Sequence, residues 1–505
     1  MSSREDSGKP ASGRSFLENS RLRGAAGMLA SSPPVVLALI LLLAFLVYAP
    51  VLNDWFKADD FLYLRAAQVK APSEFIIEAF DFRDTTEPAA GPGGHYRPLY
   101  VITILAEAEL FGSSALPYHL LNLMVHVASV AMLWLIVMKA TQRPLIAHIA
   151  ALVFALHPTY AMTLGWISEL SALAATLGAL VCLWSFMKAL DEGARSKLWY
   201  LVSLASYLAA MLYHPKAAPV LVALAAYFFF VHGGTRRESL AFRSWLRFIP
   251  YLGIALFPVL VSLYLREEYL RLQFNFSYGP HLYENFLHYL FMGVVPYPLL
   301  AGTKVFGTVA PTFTGGIIAF SAWLGIAIWP LKDSRKRAAH LFALVWFLTA
   351  LLPLLAFRFG ASPRQFYIAG PALALVLSLF LVSALDSLSR LRFPRFAGVA
   401  VLLVLLVLAS QRIFITVQDQ GLPSAQSRDF IEELRQTYPT LPEKATLYVV
   451  GAPLALRIFG DVYLVNAVQT YYGDIRVEPV SQTQALELEQ FPQPNERVFR
   501  YSGYD

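Results

Sequence analysis

The chain has 505 residues, 57% of them hydrophobic and 15% charged, with a mean hydropathy of +0.53 and a net charge of +6. A soluble domain runs about 45–50% apolar and about 25% charged, so this composition excludes an ordinary water-soluble globule. Cys182 is the only cysteine, which excludes disulfides, CxxC redox chemistry and cysteine zinc sites. The Lys and Arg residues are confined to particular loops, so the net charge does not read as a nucleic-acid footprint.

The first apolar block, 35–52, carries no charge, and a bilayer needs about 20 such residues per helical span. It is long for a signal-peptide core and lacks a small-x-small cleavage site, so it reads as a retained first span. Further spans are expected near 119–138, 145–161, 169–187, 198–213, 217–232, 248–265, 314–330, 340–356, 366–386 and 397–415. The fold class is therefore an all-α polytopic membrane protein with about 11 transmembrane helices. The N-terminal tail 1–34 holds Arg4, Lys9, Arg14, Arg21 and Arg23. Alternate connections hold Lys139 and Arg143; Lys188, Arg195 and Lys197; Arg236, Arg237, Arg243 and Arg247; Lys332, Arg335, Lys336 and Arg337; and Arg390, Arg392 and Arg395. The positive-inside rule makes these cytoplasmic, and an odd span count puts the C-terminus outside. Block 286–301 breaks that parity, and its prolines favour an interfacial or re-entrant piece.

Two segments fall outside the spans of the membrane domain 35–417. The first outer loop, 53–118, is expected to hold a helix after Asp60 and another at 72–80. Its apolar stretch near 101–112 carries Glu107 and Glu109. A carboxylate at the bilayer centre costs about 2.5–3.5 kcal/mol, so that helix is expected at the interface. The tail 418–505 reads helix (425–437), strand (446–450), helix (454–468) and strand (475–480), a small α/β domain packed on the membrane part.

The strongest local signal is NDWFKADDFLYLRAA, directly after the first span. Asp59 and Asp60 stand where a helix begins. One of them capping that helix is the ordinary alternative to an outward carboxylate serving as general base. Other outward motifs follow: His95, Tyr96 and Arg97 in HYRPLY; His119, Asn122 and His126 at helical spacing; and His157, Trp166 and Glu169 in 154–170. Later turns carry His214 and Lys216, then Arg358, Arg364, Gln365 and Tyr367. Each taken singly also fits snorkelling cations, an aromatic belt or a structural histidine. Outward Arg97, Lys216, Arg358 and Arg364 nevertheless run against the positive-inside trend, and Arg forks and Lys point charges suit an anionic headgroup. The loop 266–285, with Glu267, Glu268, Tyr278 and Tyr283, offers a further surface for an acceptor.

In that order these motifs (the acidic pair, YRPL, YHLLNLMVH, HP with WISE, PK and PRQFY) resemble the GT-C membrane glycosyltransferases. The resemblance covers roughly residues 40–375 and is to bacterial relatives of the protein O-mannosyltransferase and transmembrane-TPR mannosyltransferase families. Departures are the absence of a TPR array, Lys57-Ala58 before the acidic pair, His214-Pro215-Lys216, and Arg364-Gln365-Phe366-Tyr367. The resemblance implies a polyprenyl-phosphate-sugar donor and an acceptor hydroxyl on a glycan, lipid or protein. It also implies inverting transfer at the extracytoplasmic face of a bacterial inner membrane. In that scheme Asp59 is the base, Asp60 orients the loop or Arg97, and Arg97, Lys216, Arg364 and Tyr367 meet the donor phosphate. His95, His119, His157, Glu169 and His214 support them. A single acidic pair leans toward no cofactor, with a divalent metal left open. A transporter or flippase, or a catalytically silent scaffold, is the competing class. A transporter would place its ionisable groups at mid-membrane, whereas these gather at one set of helix ends.

Overall fold

The computed structural model describes residues 32–81, 96–191, 193–233, 241–273, 278–294, 313–358, 360–390, 395–457, 461–491 and 493–504. Helix α1 (Pro33–Tyr48) opens on two prolines, whose fixed φ suits a first helical turn and whose missing N–H costs nothing there. Only Ile40, Ala44 and Tyr48 of α1 are buried, so the rest of its leucine-rich surface is left for lipid. A 3-10 turn, Ala49–Asn53, leads into the first outer segment. There lie α2 (Asp60–Val69), α3 (Pro72–Phe80) and α4 (Pro98–Phe111), close to their expected places.

The membrane part continues with α5 (Ala115–Thr141), α6 (Pro144–Ala155), α7 (Leu170–Asp191), α8 (Ser196–Tyr213) and α9 (Val220–Tyr227). Then follow α10 (Ile249–Gln273), α11 (His281–Val294), α12 (Phe313–Ile328), α13 (Ser334–Leu355) and α14 (Gly370–Arg390). Among the described residues, seven helical stretches are long and apolar enough to cross a membrane: 33–53, 115–141, 167–191, 215–232, 242–261, 334–355 and 363–387. Helix α6 is shorter because His157-Pro158 ends it. Block 286–301 begins in α11, and its residues 295–301 lie outside the described residues.

Helix α15 (Arg395–Thr437) runs unbroken for 43 residues, so the boundary expected at 417/418 falls inside a helix. Pro423 lies inside this helix, where a proline removes a hydrogen bond and crowds the preceding turn. Packing on both sides of it wins: Ile413 and Val417 bury before it, and Phe430, Ile431 and Leu434 bury after it. The tail then forms β1 (Thr446–Val450), α16 (Val462–Tyr472), β2 (Arg476–Pro479), α17 (Gln482–Gln490) and β3 (Glu496–Arg500). The sheet is parallel throughout, in the order β2-β1-β3. The sequence reading placed two of these strands and missed β3 and α17, and the expected helix 454–468 starts later, at Val462.

Two cores organise the molecule. One fills the membrane bundle. The other merges Phe56, Phe61, Leu64, Tyr100 and Ile104 of the outer segment with Phe430, Leu447, Leu464 and Val468 of the tail. A buried side chain such as Leu464 contributes about 1.5–3 kcal/mol, so the outer segment and the tail stabilise each other. Charged groups sort to the opposite helix ends. Lys139 pairs with Asp191, and Lys336 donates to Asp386 at 2.6 Å, far along α5, α7, α13 and α14 from Asp59.

Candidate active site

Asp59 takes the N-cap position of α2, but its backbone is helical and its side chain makes no capping bond. Instead Oδ1 accepts from the Trp166 indole Nε1 at 2.8 Å. Among the described residues Oδ2 accepts no hydrogen bond. Asp60 is saturated by contrast. Its Oδ2 accepts from the Lys57 backbone N–H at 3.0 Å, and its Oδ1 accepts from the Ser168 N–H at 3.0 Å and the Ser168 hydroxyl at 2.5 Å. Asp60 therefore ties the outer segment to the Trp166–Glu169 turn and makes no bond to Arg97. Burial pushes both carboxyls above the usual range, the positive Arg364 pulls Asp59 back, and the charge of Asp59 raises Asp60 further.

The other motifs converge on the same turn. Asn122 donates to the Trp166 carbonyl at 3.0 Å, which places α5 beneath the indole. The Arg364 guanidinium lies over the other part of that indole, 4.6 Å from its centroid, and pairs with Glu169 at 3.2 Å. Next to Arg364, the Gln365 side chain accepts from the Lys216 ammonium, which also sits 5.2 Å over the Phe357 ring. His214 accepts from the Lys216 backbone N–H at 3.2 Å and so shapes the short turn that presents the lysine. Asp59, Glu169, Arg364 and Lys216 thus form one polar tract along the ends of α2, α7, α9 and α14.

Arg97 is nearby but turned inward. Like Lys216 it is 8% exposed, but its guanidinium donates to Ser171 Oγ at 3.2 Å and to the Tyr63 hydroxyl at 3.1 Å, with Tyr100 beneath it. Tyr367 is fully buried, and its hydroxyl shares a 2.9 Å hydrogen bond with His126 Nδ1 among Phe154 and Tyr160. It belongs to an aromatic core one layer below the tract. His157 joins that layer with its ring 5.1 Å from that of Tyr160, and its Nδ1 shares a 2.6 Å hydrogen bond with Thr159. His119 is enclosed beside the backbone of Trp55 and Leu164, and His95 lies outside the described residues. Arg358 is exposed. Among the described residues, no group of three His, Cys, Asp or Glu side chains is placed to hold a metal ion.

The sequence reading missed two participants, Ser168 and Asp54, and placed the helix of Glu107 at the interface. Ser168, within the WISE motif, is the partner of Asp60. Asp54 points one oxygen toward Gly165 and the other toward Gly421, and burial pushes its carboxyl up to about 6 although Lys57 opposes this. It lines a polar cavity of about 290 Å³ with Trp55, Ser424, Arg428 and Glu432. Glu107 is only 4% exposed, and neither carboxyl oxygen is hydrogen-bonded among the described residues, because α4 sits inside the outer core and not on its surface.

No family model matches the chain, and no curated protein matches its sequence. Among solved structures it is similar to ArnT from Cupriavidus metallidurans bound to undecaprenyl phosphate. That match has a TM-score of 0.52 and 14% identity over 92% of this chain and 93% of that one. It is also similar to the apo oligosaccharyltransferase of Archaeoglobus fulgidus, with a TM-score of 0.50 and 15% identity; the match covers 89% of this chain and 65% of the archaeal one. The chain therefore shares its overall fold with these two structures, and its long apolar helices make it an integral membrane protein.

Proposed function

We propose that the chain transfers a sugar from a polyprenyl-phosphate-linked donor to an acceptor hydroxyl at the extracytoplasmic face, with inversion. The observation that carries this reading is Asp59: a half-buried carboxylate, oriented by Trp166, with one oxygen free of hydrogen bonds among the described residues and a cationic tract beside it. A GT-C fold supports it, as does the undecaprenyl phosphate bound to the similar ArnT structure.

In this mechanism Asp59 takes the proton of the acceptor hydroxyl as its oxygen bonds to the anomeric carbon. The bond from that carbon to the lipid phosphate oxygen breaks on the opposite face, and the phosphate leaves with the electron pair. One displacement inverts the configuration. Phosphate is a good leaving group, so it needs charge stabilisation more than protonation, which suits Arg364 and Lys216. Glu169 holds Arg364 in place until the phosphate competes for it. Asp60 acts as the support that fixes the turn, Arg97 supplies positive charge from behind, and Tyr367 with His126 stiffens the layer beneath. No metal is needed in this scheme.

The test is transfer from undecaprenyl-phosphate sugar in membranes containing Asp59→Asn, with thermal unfolding of the purified variant alongside. Asn keeps the shape and loses the basicity, and general-base catalysis is worth about 10²–10⁴-fold. Turnover should fall by that factor while the melting temperature holds. A well-folded, fully active Asp59→Asn protein removes Asp59 from the mechanism. Uptake of a labelled lipid-linked glycan without transfer would instead favour a transporter.

A further inference from the structure

The turn that carries Asp59 is strained, and its lid comes from the far end of the chain. Ala58 has φ +50° and is 1% exposed. A side chain with a Cβ rarely adopts this left-handed conformation, because Cβ crowds a backbone carbonyl. Such strain persists only where the surroundings hold it. Here the surroundings are a small apolar cluster of Ala58, Met162, Trp166 and Tyr463. Three of these belong to the site or its flanking turn. Tyr463 does not: it comes from α16 of the tail domain.

The remainder of α16 grips the same outer segment. Tyr463, Leu464, Ala467, Val468 and Tyr471 recur at helical spacing and form one face. That face packs along α2, whose Phe61, Leu64 and Ala67 share its core. Tyr471 stacks on Trp55 with ring centroids 6.4 Å apart and planes at 20°, and Asp474 pairs with Arg65. Contacts before, within and after the Lys57–Asp60 turn thus come from one helix and the loop that follows it.

We propose that the tail domain is a built-in clamp on this turn, with Tyr463 as the positioning residue that keeps Ala58 left-handed and so aims Asp59 at the Trp166 indole. The proposal rests on the reading of Asp59 as proton acceptor. It gives the tail a role in transfer that requires no contact with either substrate. Without the Tyr463 ring the turn is free to relax to an ordinary φ, and the Asp59 carboxylate loses its orientation while the donor-binding cations stay in place.

The test uses the full chain in detergent or nanodiscs and compares Tyr463→Ala, Tyr463→Phe, Ala58→Gly/Tyr463→Ala and Asp59→Asn. Amide hydrogen exchange over residues 57–64 should rise at least about tenfold in Tyr463→Ala, with α5 and α7 unchanged. The kcat for undecaprenyl-phosphate-sugar transfer should fall about 10- to 100-fold at unchanged donor KM, the pattern of an interaction made only in the transition state. Tyr463→Phe keeps the ring and should resemble wild type. Glycine adopts φ +50° freely, so Ala58→Gly should restore part of the lost kcat in the Tyr463→Ala background. A merely structural tyrosine would show no such rescue. If Tyr463→Ala does not fold, Tyr463→Leu keeps the apolar volume and replaces it. Wild-type exchange over 57–64 overturns the clamp whatever the chemistry. Raised exchange with unchanged kcat overturns the positioning role, and Asp59→Asn then separates the causes. An active Asp59→Asn means the base reading has failed, while an inert one means only the clamp has.

Discussion

Asp59 and Asp60 are chain neighbours in one buried turn, yet they do opposite things. Three donors from Lys57 and Ser168 satisfy Asp60, while a single indole N–H reaches Asp59. A carboxylate that already accepts three hydrogen bonds is a poorer proton acceptor than one oriented by a single donor. Glu107 shows what burial does without any partner. Burial, and then the negative charge of Asp60, push its carboxyl up to about 8. The folded protein therefore keeps a proton that the unfolded chain releases near a pKa of about 4.3. Because the folded state binds more protons, stability is full below about pH 4 and is lost as pH rises through about 8. Glu107→Gln mimics the protonated acid. Its melting temperature should match wild type at low pH and exceed it by a growing margin up to about pH 8, then by a constant one. A pH-independent difference between the two proteins would show that Glu107 is charged in the fold.

At the scale of elements, helix contacts decide what local propensity leaves open. Gly370 begins α14 directly after the turn that carries Arg364 and Tyr367. A Cβ there would collide with the Tyr160 hydroxyl and come within 2.8 Å of its Cζ, with Phe154 close behind. Helix propensity alone favours alanine over glycine by about 1 kcal/mol. Overpacking costs about 1–3 kcal/mol, and the Tyr160 ring, wedged against Phe154, Tyr367 and His157, has nowhere to move. The clash should win, so Gly370→Ala is expected to lower the melting temperature. Gly253 in α10 meets nothing within 4 Å, so Gly253→Ala should leave stability unchanged or improved. Thermal unfolding of the two variants side by side checks the argument, and equal behaviour would refute it.

At the scale of the whole molecule, the polar tract and the basic ion pairs sit at opposite ends of the same helices. Glu169 lies just before α7 and Asp191 closes it; Arg364 lies just before α14 and Asp386 is near its end. The positive-inside rule makes an outward-facing tract and tail the expectation. Thr483→Cys in the tail and Lys197→Cys in a basic connection, each in a Cys182→Ser background, test this directly. Both positions are exposed. In intact cells an impermeant maleimide should label the cysteine at 483 and spare the one at 197 until the cells are opened. Labelling of 197 alone would invert the topology.

The membrane class, most of the helices and the acidic pair were legible in the sequence because each is a local property. Charge-free runs such as 35–52 have nowhere to go but the bilayer, and a proline pair marks where α1 starts. The order of motifs from Asp59 to Tyr367 carried the fold resemblance for the same reason. Tertiary structure decided everything that depends on which distant residues meet. Ser168 lies 108 positions from Asp60, and no spacing rule links them. Tyr367 and Arg364 are three residues apart on one turn, so sequence treats them alike, but its curvature sends one into the aromatic core and leaves the other on the tract. Pro423 signals a break that long-range packing overrides. Tyr463 lies far beyond the motif region, and only the packing of the tail on the outer segment brings it into one apolar cluster with Ala58, Met162 and Trp166.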